Sequence, residues 1–448
     1  MAEEVGSGRE TLSSRLGFLM LAAGCAVGLG NVWRFPFVTG ANGGAAFVLV
    51  YLFFLVVLGF PLLTTELALG RGAQKGIADA YADLAPARWK AGWSRLGFLI
   101  FAGNFLLMIY YTDVAGWLLK YTGNYLVGAP AAEDPGAAFT ALLADRPTCT
   151  AYMLLAVAIA TGVCFAGIVK GVERVTKFMM LTLLSLLVVL AAKAVSLPGA
   201  GEGLKFYLAP DWAKFMEHPA KAVFDAMGQA FFTLSIGVGA MTIFGSYVKR
   251  DHSLVKESLW IIVIDTCVAL LAGLIIFPAC AAYKVPYTAG PGLIFVALPK
   301  VFQAMPGGRI WGLLFFLFLS FGALTTIIAV FECLIGGAVD RCRRSRKLVT
   351  PLVGVGVALC SLPCVCFDGV LDWEDFALSQ LWLPFGGLAM CLFVTHASFG
   401  WGWKGFQAEA SAGHGWPMPD GLRPWMTWGV PLLIGVILVG GLVLKFQG

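Results

Sequence analysis

The residues best able to do chemistry in this 448-residue chain sit inside apolar stretches. Residues 16–39 are long enough to cross a bilayer, yet Gly24, Gly28 and Gly30 interrupt them, and Asn31, Arg34 and Pro36 follow. Glycine disfavours helix by about 1 kcal/mol relative to alanine, so a break is expected here. A break frees backbone carbonyls and amides, and at membrane depth only protein or a polar cavity can satisfy them. Such half-helix ends suit cations and the anionic groups of a substrate. Residues 221–247 repeat the pattern with Gly228, Gln229, Thr233, Ser235, Gly237 and Gly239. Asp265 lies deep in a third apolar stretch. A carboxylate there is costly and usually functional, the alternative being a structurally paired group. Thr325 and Thr326 follow Gly322 in a fourth. Their hydroxyls either ligate or bond back to their own helix.

These positions need a membrane-spanning frame. The chain is 59% hydrophobic and 13% charged, with mean hydropathy +0.83. Soluble domains carry roughly 25% charged residues, so the composition is that of a polytopic membrane protein. The net charge of +5 is loop asymmetry and does not point to nucleic acid. No cleavable signal is expected, because no small-residue cleavage site follows the first apolar stretch. Most of the eleven cysteines lie in apolar stretches and read as small apolar filler. The four histidines show no metal-ligand spacing, so no zinc-type site is expected.

Windows of about 20 apolar residues give eleven spans, over 16–39, 45–70, 96–126, 150–168, 174–197, 221–247, 258–281, 309–338, 348–366, 376–398 and 424–445. Lys and Arg cluster in alternate loops (71–95, 170–177, 249–256 and 341–347), whereas the loop at 367–375 is acidic. The positive-inside rule then places the N-terminus in the cytoplasm and, with eleven spans, the C-terminus outside. The breaks fall in spans one and six, which divides spans one to ten into two five-span halves of opposite orientation. Paired interrupted segments mark a transporter's binding site. The expected organisation is an inner segment 1–15, a first repeat 16–197, an outer loop 198–220, a second repeat 221–398, and an inner loop with span eleven over 399–448.

Several stretches resemble the neurotransmitter:sodium symporters, in their prokaryotic amino-acid-transporting branch. They are Gly24 to Pro36 with Asn42-Gly43-Gly44; Gly59-Phe60-Pro61-Leu62 with Glu66 and Gly70-Arg71; Gln229 to Gly239; and Gly322 to Thr326. The resemblance covers nearly the whole chain in order. It implies an all-α integral membrane protein with a LeuT-type 5+5 inverted repeat and discontinuous helices 1 and 6. It implies a multi-pass protein of the cell's inner (plasma) membrane, working as a transporter and not an enzyme.

By that resemblance, sodium ions are the bound cations. A first site uses Ala26, Asn31, Thr233 and Asp265 with the substrate carboxylate. A second uses Gly24, Val27, Gly322, Thr325 and Thr326. Many family members have Asn where Asp265 stands, and eukaryotic ones bind chloride nearby. A fixed negative charge at Asp265 implies chloride independence, although Tyr51 and Gln229 match chloride-cavity positions. Ala269 stands where some prokaryotic members have an acid.

The substrate site implied comprises Cys25, Ala26, Gly28, Leu29, Gly30, Leu107, Tyr111, Phe232, Thr233, Ser235, Val238, Thr326 and Val330. Monoamine-transporting relatives place an aspartate at the position of Gly28. Its absence means that the substrate brings its own carboxylate, as an α-amino acid does. The wall has few polar groups and no charge, which disfavours charged side chains. Val238 replaces a Phe of a small-aliphatic-selective relative; it either widens the pocket or is a packing substitution. Arg34 with Asp375 resembles the outer gate pair, and Arg9 with Asp340 the inner one. Leu12 replaces an expected Trp of the inner plug. Leu181 replaces the proline of a pattern linked to unwinding of the fifth helix. The reading is a sodium-coupled importer of a neutral hydrophobic amino acid, aliphatic to aromatic, with two sodium ions. Its rival is a non-transporting amino-acid sensor of the same fold.

Overall fold

Apolar length sets the architecture. The computed structural model describes residues 12–129, 133–286 and 292–447, and Arg9 lies outside them. Among the described residues, nine unbroken helices are long and apolar enough to cross a bilayer. These are Ala45–Ala73, Ala87–Val127, Arg146–Phe165, Ile168–Val195, Leu254–Ala282, Gly308–Cys342, Arg346–Cys366, Val370–Thr395 and Leu422–Val443. The first pass is bent by 53° between an arm Arg15–Ala26 and an arm Gly30–Ala41. The sixth consists of Pro219–Thr233 and Ala240–Gly245, with non-helical residues between. The passes are called spans 1 to 11 in chain order.

The eleven passes are those expected, several of them extended beyond their apolar windows, as span 5 is with its start at Ile168. Span 3 begins at Ala87, and span 10 begins at Val370. Charged residues such as Lys90, Asp372 and Glu374 lower the local hydropathy there without ending the helix. Span 8 lies at the centre of the bundle, packed on spans 1, 3, 4, 5 and 9. The connections carry short helices that the apolar windows did not reveal, among them Pro135–Ala144, Ala200–Leu208, Leu298–Ala304 and Trp403–Ala410. In the loop 198–220, the Tyr207 hydroxyl donates to the Leu270 carbonyl at 3.0 Å and ties that loop to span 7.

Ion pairs gather the cationic loops at one end of the bundle. Arg15 meets Glu257 at 2.7 Å, Arg71 and Arg250 meet Glu409 at 2.7 and 3.2 Å, and Arg341 meets Asp79 at 2.9 Å. Arg346 pairs with Glu332 at the same end. Arg146 and Asp368 meet at 3.1 Å and join the acidic loop before span 10 to the start of span 4. The cationic end is called the inner end and the opposite one the outer end, following the positive-inside expectation.

Side chains take over the hydrogen bonds that the two breaks lose. Glu66 of span 2 accepts from the Gly237 and Met241 amides at 2.6 and 3.1 Å. Asn104 of span 3 donates to the Val238 carbonyl at 2.7 Å. Gln229 of span 6 donates to the Gly30 carbonyl at 2.9 Å, so one break is tied to the other. All three side chains are fully buried. The chain runs through a left-handed Ser235 at φ 50° and through Gly237 and Gly239 at 108° and 75°. Leaving a buried amide unsatisfied costs roughly 1–3 kcal/mol. Glu66→Ala strands two, so a loss on the order of 2–5 kcal/mol is expected, read as a lower melting temperature in detergent. Glu66→Gln keeps one carbonyl acceptor and should lie between Glu66→Ala and the parent. Equal melting of all three proteins would mean that Glu66 does not hold the break.

Candidate functional site

The two breaks face each other and leave more acceptors than donors. At the first, the Gly28 amide donates to Asn31 Oδ1 at 3.1 Å, and the Asn31 amide donates to the Gly28 carbonyl at 3.2 Å. The regular helix partners of those amides would be the carbonyls of Gly24 and Val27. Both carbonyls instead lie within 3.2–3.3 Å of the Thr326 hydroxyl, as does the Gly322 carbonyl at 3.2 Å. One hydroxyl has one proton. Thr325 gives its own proton to Gly322 at 2.9 Å, which is the bond back to its own helix. Gly24, Val27, Gly322, Thr325 and Thr326 therefore converge as an oxygen cluster short of protons. That donor set fits a hard cation.

A second cluster surrounds Asp265. Asn31 donates from Nδ2 to Asp265 Oδ1 at 2.8 Å and to the Asp265 carbonyl at 3.1 Å. The Thr233 hydroxyl donates to Asp265 Oδ2 at 3.0 Å. Asn31, Thr233 and Asp265 have no exposed surface. Among the described residues no cationic side chain pairs with Asp265. Two neutral donors do not balance a buried charge, whose desolvation costs several kcal/mol. The carboxylate and the Asn31 carbonyl oxygen, which also accepts from the Gly28 amide, make a second oxygen set suited to a cation. Nearby, Tyr51 Oη and Gln229 Oε1 are buried without a hydrogen-bond partner.

Between the clusters lies a small cavity of about 20 Å³. Nine of the expected residues line it, from Cys25, Ala26, Gly28 and Gly30 to Leu107, Tyr111, Phe232, Ser235 and Thr326. Leu29 donates its amide to the Tyr111 hydroxyl at 3.0 Å, which joins the expected carboxylate-binding groups. Gly28 is held to glycine by close approach. A Cβ there would sit 2.3 Å from the Tyr111 hydroxyl and 2.7 Å from that of Thr326. The Ser235 hydroxyl reaches the Cys25 carbonyl at 3.4 Å.

Two expected wall residues are elsewhere. Val238 is not on the cavity wall: its carbonyl goes to Asn104, and its side chain packs on Gly103 of span 3. The cause is the turn at Gly237, which directs Val238 towards span 3. Val330 is buried one helical turn beyond Thr326, away from the cavity. Leu378 and Leu383 of span 10 complete the wall instead.

Residues 9–130 and 139–407 match the model of the sodium:neurotransmitter symporter family. The chain belongs to that family. It is 34% identical over 396 residues to an uncharacterized sodium-dependent transporter, YhdH, of Bacillus subtilis, covering 85% of this chain and 86% of that one. An uncharacterized sodium-dependent transporter of Haemophilus influenzae is 32% identical over 409 residues, covering 86% and 89%. The sodium-dependent serotonin transporter of Drosophila melanogaster is 30% identical over 413 residues, covering 81% and 65%. Among solved structures, MhsT in complex with L-phenylalanine superposes with a TM-score of 0.85 at 34% identity, covering 97% of this chain and all of that one. The protein is thus a sodium-dependent symporter with the LeuT-type fold, and not an enzyme.

The gates of this symporter differ from expectation. The outer ion pair is not formed. Arg34 lies over the Phe232 ring at 4.7 Å, with its Nη1 buried and unpartnered. Asp375 instead accepts from the Tyr110 and Ser379 hydroxyls at 3.1 and 3.0 Å. The aromatic face and the tyrosine take the two partners apart. At the inner end, Asp340 accepts from the Gly76 amide at 3.0 Å, and its expected partner Arg9 lies outside the described residues. The Tyr247 hydroxyl donates to Glu332 at 2.8 Å.

The grip on the inner arm of span 1 was not anticipated. Glu173 of span 5 accepts from the Ser13 amide at 2.7 Å, the Ser13 hydroxyl at 2.6 Å and the Ser14 hydroxyl at 2.9 Å. Ser14 in turn caps the helix by accepting from the Gly17 amide at 3.0 Å. Gly17 permits the contact, since a Cβ there would fall 1.9 Å from Glu173 Oε1. Leu12 is buried beside this latch, where a Trp was expected. The helix Arg174–Val195 runs unbroken through Leu181, as the missing proline allows. Glu66 carries the signal that singled out Asp265, an acid in an apolar stretch, whereas Glu173 lies among the charged residues 170–177 and carries none. Leu378 and Leu383 carry none, being apolar among apolar neighbours.

Two outcomes follow from this geometry. Gly28→Ala should lower sodium-dependent substrate binding at least roughly tenfold, about 1.4 kcal/mol, because Tyr111 and Thr326 must both move. Unchanged affinity would show that the contact is relaxed. Glu173→Ala should raise hydrogen–deuterium exchange of the amides in residues 15–26, with Glu173→Gln intermediate. Exchange equal to that of the parent would place the grip elsewhere.

Proposed function

We propose that the protein imports a neutral hydrophobic L-amino acid, aliphatic to aromatic, with two sodium ions and without chloride. The observation that carries this is the side-chain-free Gly28 beside Tyr111 and the buried Asp265 cluster. A monoamine would need a protein carboxylate near Gly28, and that space is filled by two hydroxyls. An amino acid brings its own. Its carboxylate meets the Leu29 and Gly30 amides, the Tyr111 hydroxyl and the ion held by Ala26, Asn31, Thr233 and Asp265. Its ammonium meets the carbonyls near Ala26, Phe232 and Ser235 and the Thr326 hydroxyl.

The body of the substrate lies against Cys25, Leu107, Phe232, Leu378 and Leu383. The cavity is too small for a leucine or phenylalanine side chain as it stands, so binding moves Phe232 or the span 10 leucines. MhsT, crystallised with L-phenylalanine, supports the aromatic end of the range. The second ion lies among Gly24, Val27, Gly322, Thr325 and Thr326. The same segment of span 1 contributes to both ion sites and to the substrate site, which couples their occupancies. Two sodium ions crossing with a zwitterion at about 100 mV and a tenfold gradient supply ~7 kcal/mol, enough for roughly a 10⁵-fold substrate gradient.

The test is uptake by proteoliposomes under an imposed sodium gradient, with a competition panel of amino acids. Accumulation of a labelled hydrophobic amino acid that is lost without sodium supports the reading. Sodium-stabilised binding without accumulation would favour the sensor. Replacing chloride by gluconate should leave uptake unchanged. Asp265→Asn removes the fixed charge and should shift the sodium dependence at least roughly tenfold upward, about 1.4 kcal/mol. An unshifted sodium curve would remove Asp265 from the ion site.

A further inference from the structure

A cavity of about 520 Å³ opens at the outer end of the bundle, within the size range of small-molecule sites. It shares no lining residue with the central cavity. Span 3, the helix Pro135–Ala144, the start of span 4, the helix Leu298–Ala304 and the start of span 8 enclose it.

The aromatic part of its wall is Tyr121, Tyr125 and Phe302. Tyr121 and Tyr125 both stack on Phe316, with ring centroids 4.9 and 5.4 Å apart, which holds the two rings in place. The charged groups are Lys120, Arg309 and Asp145. Arg309 is fixed by donating to the carbonyls of Tyr125 and Leu126 at 3.2 and 2.9 Å. Asp145 caps span 4 by accepting from the Thr148 amide at 3.2 Å. Among the described residues Lys120 has no ion pair; its ammonium lies 5.5 Å from the Tyr152 ring. Two cations against one carboxylate leave a positive rim above an aromatic wall.

This cavity is joined to the gate. Tyr121 packs on Phe295 at 5.2 Å, and Phe295 packs on Trp33 at 6.3 Å. Trp33 adjoins Arg34 in the outer arm of span 1, whose guanidinium covers Phe232. A ligand that presses on Tyr121 therefore reaches the outer arm through one intervening ring.

We infer that this cavity is a second ligand site for an organic carboxylate with an aromatic body, and that its occupancy biases the outer gate through Phe295 and Trp33. The carboxylate meets Lys120 and Arg309, and the body lies on Tyr121, Tyr125 and Phe302. Asp145 stands where the ammonium of a zwitterion can reach it, so the source is either an aromatic amino acid or its deaminated analogue. The site does not depend on the central-site assignment, since it requires no sodium.

The experiment uses the full chain in lipid nanodiscs, with L-phenylalanine and hydrocinnamate as probes and sodium absent. At least one probe should bind. Lys120→Gln should weaken that binding at least fivefold, and Ala141→Trp, which fills the cavity, should abolish it, whereas Thr326→Val should leave it unchanged. Binding of both probes assigns recognition to the carboxylate; binding of L-phenylalanine alone adds the ammonium. Absence of sodium-free binding by both probes overturns the site, as does binding that survives both cavity variants. In uptake assays, the effect of saturating amounts of the probe that binds on the sodium-driven rate should differ at least twofold between the parent and Lys120→Gln, whose central site is intact. Binding with an unchanged rate overturns the link to the gate.

Discussion

Two helices stop in the middle of a bilayer, and the rest of the structure follows from what that requires. No water is present at that depth to satisfy the freed amides and carbonyls. Glu66, Asn104 and Gln229 take those that must be silenced. The carbonyls of Gly24 and Val27 are left facing a threonine hydroxyl with too few protons. A backbone defect thereby leaves an oxygen-rich cluster whose donor set suits a hard cation, at little cost in side chains. The same break exposes the Leu29 amide, which donates to the Tyr111 hydroxyl on the cavity wall.

Charge is treated in the same economical way. Asp265 is buried, with neutral donors from Asn31 and Thr233 and no cationic partner among the described residues. Such a carboxylate is poorly stabilised until a cation arrives. Asn31 then has two roles, orienting Asp265 through Nδ2 and holding the Gly28 amide through Oδ1. In the proposed reading, occupancy of the ion site and the shape of the substrate site therefore depend on the same side chain. That is a physical basis for coupling in a sodium-dependent symporter.

The two ends of the bundle are closed by different means. The inner end relies on charges and hydrogen bonds: Glu173 on Ser13 and Ser14, Glu257 on Arg15, and Glu409 on Arg71 and Arg250. The outer end relies on rings, with Arg34 over Phe232 and Trp33 against Phe295. The acids of the inner end, Glu173, Glu257 and Glu409, are buried, so losing a partner there leaves a buried charge unpaired, which is strongly destabilising. The outer end is held by contact area, which a ligand can compete for.

Much of the fold was legible from apolar length alone. Eleven windows became eleven passes, because a bilayer leaves a helix few alternatives. The breaks were legible because Gly24, Gly28 and Gly30, and Gly237 and Gly239, interrupt otherwise apolar runs. Asn31, Asp265, Thr325 and Thr326 could be singled out because polar groups at that depth need a reason. What the sequence left open was where the apolar residues point. Val238 turns away from the cavity, while Leu378 and Leu383 turn into it, because Gly237 redirects the chain and span 10 packs on the second break. The loss of the Arg34–Asp375 pair to Phe232 and Tyr110, and the grip of Glu173 on a segment 160 residues away, belong to the same class. The sequence by itself determined the number of crossings, the broken ones and the polar residues inside them, since each is a local matter of hydropathy and backbone propensity. Only the tertiary structure decided which neighbours meet, because contact between distant spans depends on rotation and bend, and apolar residues look alike until the helices are packed.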